Sequence, residues 1–221
     1  MRILDLFAGA GGAAVGYHRA FPDAEIVGVD IVPQPRYPFT FVQADAMTFP
    51  LDGFDFIHAS PPCQRYSVTR HTHAKVYPDL VGPVRNRLVA NGVPWAMENV
   101  VGAPMPAAFV LCGASFGLKA YDELSGKVLW LRRHRLFESS AFVMPPACAC
   151  RGKDIGGVYS GGPNNRNPNW NRGGYTPPGA VRKVLMDIGW MTGRQLCEAI
   201  PPAYTEFIGH QLAAVLAERA A

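Results

Sequence analysis

Short apolar runs separated by polar turns dominate the first hundred residues. Arg2-Ile3-Leu4-Asp5-Leu6-Phe7 predicts a strand, and Ala8-Gly9-Ala10-Gly11-Gly12 a glycine-rich turn. Residues 13 to 21 predict a helix that stops before Pro22. Glu25–Asp30 and Phe39–Gln43 predict a second and a third strand, the first ending in an acid, the other running into Ala44-Asp45-Ala46. A fourth apolar run, Phe54–Ala59, leads into Ser60-Pro61-Pro62-Cys63-Gln64. A helix over 80–90 and a fifth strand, Trp95–Val100, follow. Strands alternating with helices predict an α/β fold, a doubly wound, mostly parallel sheet. The polar and basic stretch 65–78 predicts an exposed loop. From 139 to about 178 Gly, Asn, Pro and Arg dominate, with little apolar surface to bury, so this segment is expected to be loop-rich. A helix is expected over 192–199 and a last one over 204–219. The last one would carry Phe207, Ile208, Leu212, Val215 and Leu216 on one face.

Composition narrows the class. The chain has 221 residues, 48% of them hydrophobic, enough for one domain with an insert. Its formal net charge of +4 suits a polyanionic partner. Arginine and histidine gather at 65–87, 132–135 and 151–183, the last interleaved with Asn, Gly, Trp170 and Tyr175 as on a nucleic-acid-facing surface. Arg2 leads straight into a strand, so no signal peptide is expected, and no apolar run is long enough to span a membrane. Five scattered cysteines do not form a disulfide framework, and a reducing cytoplasm is expected.

Two stretches carry chemistry. Gly9, Gly11 and Ala14 fit G-x-G-x-x-A between a strand and a helix, where backbone N–H groups stand free for a ligand. Asp30 follows about 20 residues on, where an acid accepts ribose hydroxyls. The pattern fits a nucleoside-containing cofactor and does not separate a nicotinamide dinucleotide from S-adenosylmethionine. Asp45 ends the third strand, where it either reaches an adenine amino group or caps a turn. Pro61-Pro62 stops the fourth strand and stiffens the turn that presents Cys63 at the carboxyl edge of the sheet, a place for a nucleophile or for a merely structural thiol. Glu98 ends the neighbouring strand.

Taken in order, Asp5-Leu6-Phe7-Ala8-Gly9-Ala10-Gly11-Gly12, Pro61-Pro62-Cys63-Gln64, Glu98-Asn99-Val100, Arg133-His134-Arg135-Leu136-Phe137 and Ala199-Ile200-Pro201-Pro202-Ala203-Tyr204 resemble the DNA (cytosine-5) methyltransferases, and most of all their small bacteriophage members. The resemblance covers the chain except about 139–190. It implies a Rossmann-like catalytic domain over 1–138 and 190–221, with a short target-recognition segment over 139–189. It implies that S-adenosylmethionine is held by Phe7, Ala8, Gly9, Gly11, Gly12, Asp30, Ile31, Asp45, Ala46 and Pro62. Cys63 would be the nucleophile, Glu98 the acid facing the cytosine, and Arg133 and Arg135 the anchors of the base and of a closing loop. Double-stranded DNA would meet Gln64, Arg65, Ser67, Arg70, Arg151, Arg166 and Arg172. The last helix would return beside the first strand, and the protein would act as a monomer in the cytoplasm (of the host, if phage-encoded).

The chain departs from the family where Leu131 and Glu198 replace a usual glutamine and asparagine, and in its short recognition segment. An exocyclic-amino methyltransferase, whose Ser-Pro-Pro motif continues in an aromatic where Cys63 stands, is one alternative. A nicotinamide dehydrogenase, a non-catalytic DNA-binding relic and an RNA methyltransferase are others. Cys148-Ala149-Cys150 has zinc-ligand chemistry, but no two further ligands stand at zinc-site spacing, so no metal is expected. Cys112, Cys197, Trp95 and Trp190 read as core residues.

Overall fold

The computed structural model describes residues 1–66, 77–159 and 175–220. Its main sheet has seven strands. β1 (Arg2–Leu6), β2 (Glu25–Asp30), β3 (Thr40–Gln43), β4 (Phe56–Ala59) and β5 (Trp95–Val100) are the five that the apolar runs predict. β6 (Phe109–Leu111) and β9 (Arg135–Ser139) complete it in the order β3-β2-β1-β4-β5-β9-β6. The first five are mutually parallel, and β9 runs antiparallel to both β5 and β6. The expected α/β architecture with a mostly parallel sheet is the one observed.

Both faces of this sheet are covered, which is why its strands read as nearly continuous apolar runs. Alternation along β1 sends Ile3 to one face and Leu4 and Leu6 to the other. On the first face lie α1 (Gly12–Ala20) and α5 (Pro202–Ala220), with Tyr17, Tyr204, Ile208, Leu212 and Leu216 packed on Ile3, Phe56 and Phe137. On the second lies α2 (Val81–Asn91), burying Val81, Val84 and Leu88 against Leu4, Ile57 and Met97. The last helix therefore returns to the first strand's face, as the resemblance implies. Val215, expected on its apolar face, is instead among the exposed hydrophobics.

A second, three-stranded sheet, β10-β8-β7, is built from β7 (Lys119–Asp122), β8 (Lys127–Leu131) and β10 (Ile155–Gly156). α3 (Gly179–Met186) and α4 (Gly193–Glu198) pack on it through Leu129, Leu131, Leu185, Met186 and Leu196. Most of its strand residues come from 119–131, ahead of the 139–189 segment. Leu131, the departure noted above, is a core residue of this layer, 1% exposed.

α1 and α5 lie side by side, running the same way, at a separation only glycine permits. A Cβ on Gly16 would stand 2.1 Å from the Pro202 carbonyl oxygen and from Thr205 Oγ1, and one on Gly12 2.4 Å from the Ile200 carbonyl oxygen. Thr205 Oγ1 donates to the Ala13 carbonyl at 2.8 Å across the same seam. Gly16→Ala gains about 1 kcal/mol of helix propensity. It also forces backbone apart, and overpacking of that kind costs about 1–3 kcal/mol or more. The clash is with main chain and cannot be relieved by a rotamer change, so a net loss of about 2 kcal/mol is expected from urea unfolding. Gly193→Ala, whose Cβ meets nothing nearer than Arg182 Nη2 at 3.7 Å, is expected to stabilise by about 0.4–1 kcal/mol. Equal midpoints for the two variants would contradict the packing described.

Candidate active site

Sheet order reverses between β1 and β4, the switch point at which open α/β sheets bind ligands beyond the carboxyl ends of their strands. Two of the sequence's chemical stretches leave from that point. The glycine turn follows β1, and the Pro-Pro-Cys turn follows β4.

In the first, Gly9 and Gly11 have φ of 49° and 84°, and Phe7 also takes the left-handed conformation at 57°. A bulky residue held there marks a turn over-determined by its surroundings. A Cβ on Gly9 would meet nothing within 4 Å, so backbone stands open to an approaching ligand there. One on Gly11 would strike Pro38 and Tyr37 instead. Gly11 and Gly12 serve packing, and Ala8 is buried. Asp30, at the end of β2, accepts from the Gly9 N–H at 2.9 Å and the Val32 N–H at 2.9 Å. Each of its oxygens keeps a lone pair for a further donor. Ile31 and Val32 beside it are 68% and 56% exposed. Asp45 lies at the same edge, two residues past β3. Its Oδ1 accepts from the Met47 N–H at 2.8 Å, the turn-capping role. Ala46, expected with the cofactor-facing residues, is turned into the core, its carbonyl taken by Arg87.

In the second, Cys63 is partly buried and Pro62 half-buried, while Gln64 and Arg65 are exposed. The turn is pinned from β5. Buried Asn99 donates through Nδ2 to the Pro61 carbonyl at 2.9 Å and accepts from the Val100 N–H. A polar chain runs beneath it. Tyr17 Oη meets His58 Nδ1 at 3.0 Å, His58 Nε2 meets Ser60 Oγ at 2.9 Å, and the Ser60 hydroxyl bonds Glu98. Burial drives His58 down to about 3, so it is a neutral spacer. Neither Tyr17 nor His58 is marked as functional by its local pattern, while Ser60 and Asn99 stand inside the quoted motifs without a role of their own. The one available signal is a histidine at a buried position of an apolar strand.

β9 runs antiparallel to β5 and pairs Val100 with Arg135, which brings the arginines to the edge near Glu98, two residues before the strand's end. Arg135 Nε bonds Glu98 Oε1 at 2.9 Å. Arg133, 5% exposed, donates Nε to the Ala199 carbonyl at 2.9 Å, Nη2 to Cys197 at 2.8 Å and Nη1 to Val158 at 3.2 Å. Burial lowers it to about 9, still charged at neutral pH. Burial also raises Glu98 above the usual carboxylate range, against the opposing pull of Arg135, Arg133 and the Ser60 hydrogen bond. Cys63 is raised too, first by desolvation and then by the Glu98 charge, and the two arginines only partly offset this. The two arginines pull the Cys63 thiol down, and burial wins. The structure therefore gathers Cys63, Glu98, Arg133 and Arg135 at one edge, with Gly9, Asp30 and Ile31 across the switch point.

Of the residues expected to meet nucleic acid, Arg65 pairs with Asp79 at 3.6 Å on an exposed surface, and Arg151 is exposed. Ser67, Arg70, Arg166 and Arg172 lie outside the described residues. Glu198 is an exposed end of α4, 3.9 Å from Arg194.

The chain matches no family model and no curated protein. Among solved structures, a methyltransferase of Entamoeba histolytica superposes with a TM-score of 0.51 at 10% identity, over 100% of this chain and 99% of that one. The likeness is one of fold. It is a mixed α/β fold with a mostly parallel central sheet, in agreement with the sheet order. An RNA methyltransferase from Salinibacter ruber, solved with S-adenosyl-L-homocysteine, covers 67% of this chain at 14% identity and a TM-score of 0.37.

Thiolate is the form that alkylates, and a pKa raised above the usual value of about 8.5 leaves little of it at neutral pH. Alkylation of Cys63 by iodoacetamide, followed on its own peptide by mass spectrometry, should keep accelerating beyond pH 8.5. A plateau reached below pH 8 would show that the arginines outweigh burial.

Proposed function

We propose that this protein methylates carbon 5 of cytosine in double-stranded DNA, using S-adenosylmethionine. The observation that carries the reading is the Cys63 thiol, fixed on a proline-stiffened turn beside buried Glu98, with two arginines in the same cluster. An exocyclic-amino methyltransferase has no use for a thiol there, and a dehydrogenase would leave the whole cluster without a task.

The residues across the switch point fit the cofactor. Gly9 offers unobstructed backbone, Asp30 offers carboxylate lone pairs for a ribose, and Ile31 and Val32 offer exposed apolar surface for a base. When bound, S-adenosylmethionine would supply an electrophilic methyl group on that side. The chain's own residues would act on the cytosine. It must first leave the duplex, since its ring is inaccessible within the stack. The Cys63 sulfur forms a bond to carbon 6 as its proton is lost, and carbon 5 gains the electron density of an enamine. Glu98, kept inclined to hold a proton by burial, donates to ring N3 and offsets the charge that develops. After carbon 5 is methylated, its proton passes to solvent, ring N3 returns its proton to Glu98, and the carbon–sulfur bond breaks with its electron pair going to the Cys63 sulfur, which takes up a proton again. Arg135 keeps Glu98 in place from the side. Gln64, Arg65 and Arg151, with the basic residues beyond those described, would meet phosphates, which position a protein without reading sequence.

Duplex DNA carrying 5-fluorocytosine should trap a covalent adduct with the wild-type protein and none with Cys63→Ala, because fluorine cannot leave as a proton does. Equal adduct from both would remove Cys63 from the mechanism. The same assay on single strands and on RNA decides the substrate; exclusive labelling of RNA would overturn the DNA assignment. Separately, calorimetry should detect S-adenosylmethionine binding, weakened in Asp30→Ala by about 1.5–3 kcal/mol, as for a lost charged hydrogen bond. Binding of a nicotinamide dinucleotide in its place would favour the dehydrogenase.

A further inference from the structure

Behind the arginine segment the fold assembles a cluster that the proposed chemistry does not use. Arg133 and Arg135 face the Cys63 site, and His134 between them turns to the other side. There its Nε2 lies 3.4 Å from the Cys148 sulfur and 3.7 Å from the Cys150 sulfur, and the two sulfurs are 3.4 Å apart. Cys112, at the end of β6, completes the group. The four ligand atoms all lie within 4.8 Å of one another. The pair that the sequence leaves without partners thus has two, and Cys112 is more than an apolar filler. The partners are invisible locally because 36 residues separate Cys112 from Cys148 (148 − 112).

We propose that Cys112, His134, Cys148 and Cys150 bind a structural zinc ion. Zinc–sulfur bonds of about 2.3 Å and zinc–nitrogen bonds of about 2.0 Å in a tetrahedron put neighbouring sulfurs about 3.8 Å apart and sulfur and nitrogen about 3.5 Å apart. The three spacings among His134, Cys148 and Cys150 fall within a few tenths of an ångström of these, and the Cys112 sulfur lies within 4.8 Å of all three. Three thiolates and one imidazole are a soft, four-coordinate set that closes the sphere, as structural sites do. No position remains for water or substrate.

The surroundings hold the ligands in place. The Ser115 N–H donates to the Cys112 carbonyl at 2.9 Å. Its hydroxyl donates to the Ala147 carbonyl at 2.8 Å and accepts from the Ala149 N–H at 3.2 Å, which clamps the Cys148–Cys150 strap over Cys112. Arg132 acts electrostatically on His134, Cys148 and Cys150. Its positive charge opposes the net −1 of a zinc ion with three thiolates. Such outer groups orient ligands and tune a metal.

The ion would tie β6, the head of β9 and the start of the 139–189 segment together at one point. His134 would then be fixed from the rear, and with it the register of Arg133 and Arg135 at the front. The site does not depend on the methyltransferase reading, since the same ligands meet whatever the edge binds.

Elemental analysis of the full chain, purified without chelator from zinc-supplemented cells, should find one zinc per chain. Cys63→Ala should keep it, and the Cys148→Ser/Cys150→Ser double variant and His134→Gln should lose it. If those variants fold poorly, cobalt(II) added to chelator-treated wild type provides a second reading. Intense visible d–d bands with thiolate charge transfer are expected for a tetrahedral thiolate site. Wild type that carries no stoichiometric metal and gives no such spectrum overturns the proposal. So does a freshly purified, metal-free chain whose mass and peptide map show Cys148 joined to Cys150.

Discussion

A buried guanidinium sets the terms for much of this molecule. Taking a charge the size of Arg133 out of water costs several kcal/mol unless its donors and its charge are met. Its donors are met by carbonyls of Val158 and of Cys197 and Ala199, two segments each more than twenty residues away from it. Its charge is met by Glu98. Its own carbonyl accepts from the Tyr204 hydroxyl at 2.5 Å, at the head of α5. The small sheet's edge, the turn into the last helix and the end of β5 therefore converge on one side chain. Removing any of these partners would leave a buried charge short of a donor or acceptor, so the site's order and the fold's order are hard to separate.

The same burial explains why Cys63 and Glu98 resist ionising in the free protein. Desolvation is the largest influence on both, and each carboxylate or thiolate charge would raise the other's cost. Arg133 and Arg135 pull against that burial from the same edge and offset only part of it. Substrate that brings its own hydrogen-bonding edge changes the environment of both groups at once. On the proposed reading, thiol activation would then accompany binding.

Local pattern reveals the parallel half of the fold and little of the rest. β1 to β5 are legible because strands covered on both faces must be apolar throughout, and the glycine and Pro-Pro turns are legible because backbone geometry restricts which residues can form them. β6 to β9 pass unnoticed in sequence. Strands of three to five residues such as Lys119-Ala120-Tyr121-Asp122, in an exposed-buried alternation within a small sheet, carry no long apolar run. The site divides the same way. Gly9, Asp30, Cys63 and Glu98 each stand at the end of a recognisable strand. Asn99, His58 and Ser60 act through contacts made only on folding, as with Asn99 and Pro61, which are 38 residues apart. Ala46 shows the converse error: adjacency in sequence to an edge acid does not place a side chain at the edge, since the next residue of a turn faces the core.

One helix joins the two halves of the site. α1 begins at the glycine turn, so its position along its axis fixes where the open backbone of Gly9 lies. About one and a half turns on, Tyr17 reaches the fourth strand and hydrogen-bonds His58, which reaches Ser60, and Ser60 reaches Glu98. The helix is held on its outer side by the close seam with α5, where Gly12 and Gly16 leave no room for a shift. A rigid rod so clamped sets the separation between the edge that would carry a cofactor and the turn that carries Cys63. Group transfer between two bound partners depends on that separation to within about an ångström. The glycines of the α1–α5 seam, remote from any reacting atom, are therefore part of what aligns the chemistry.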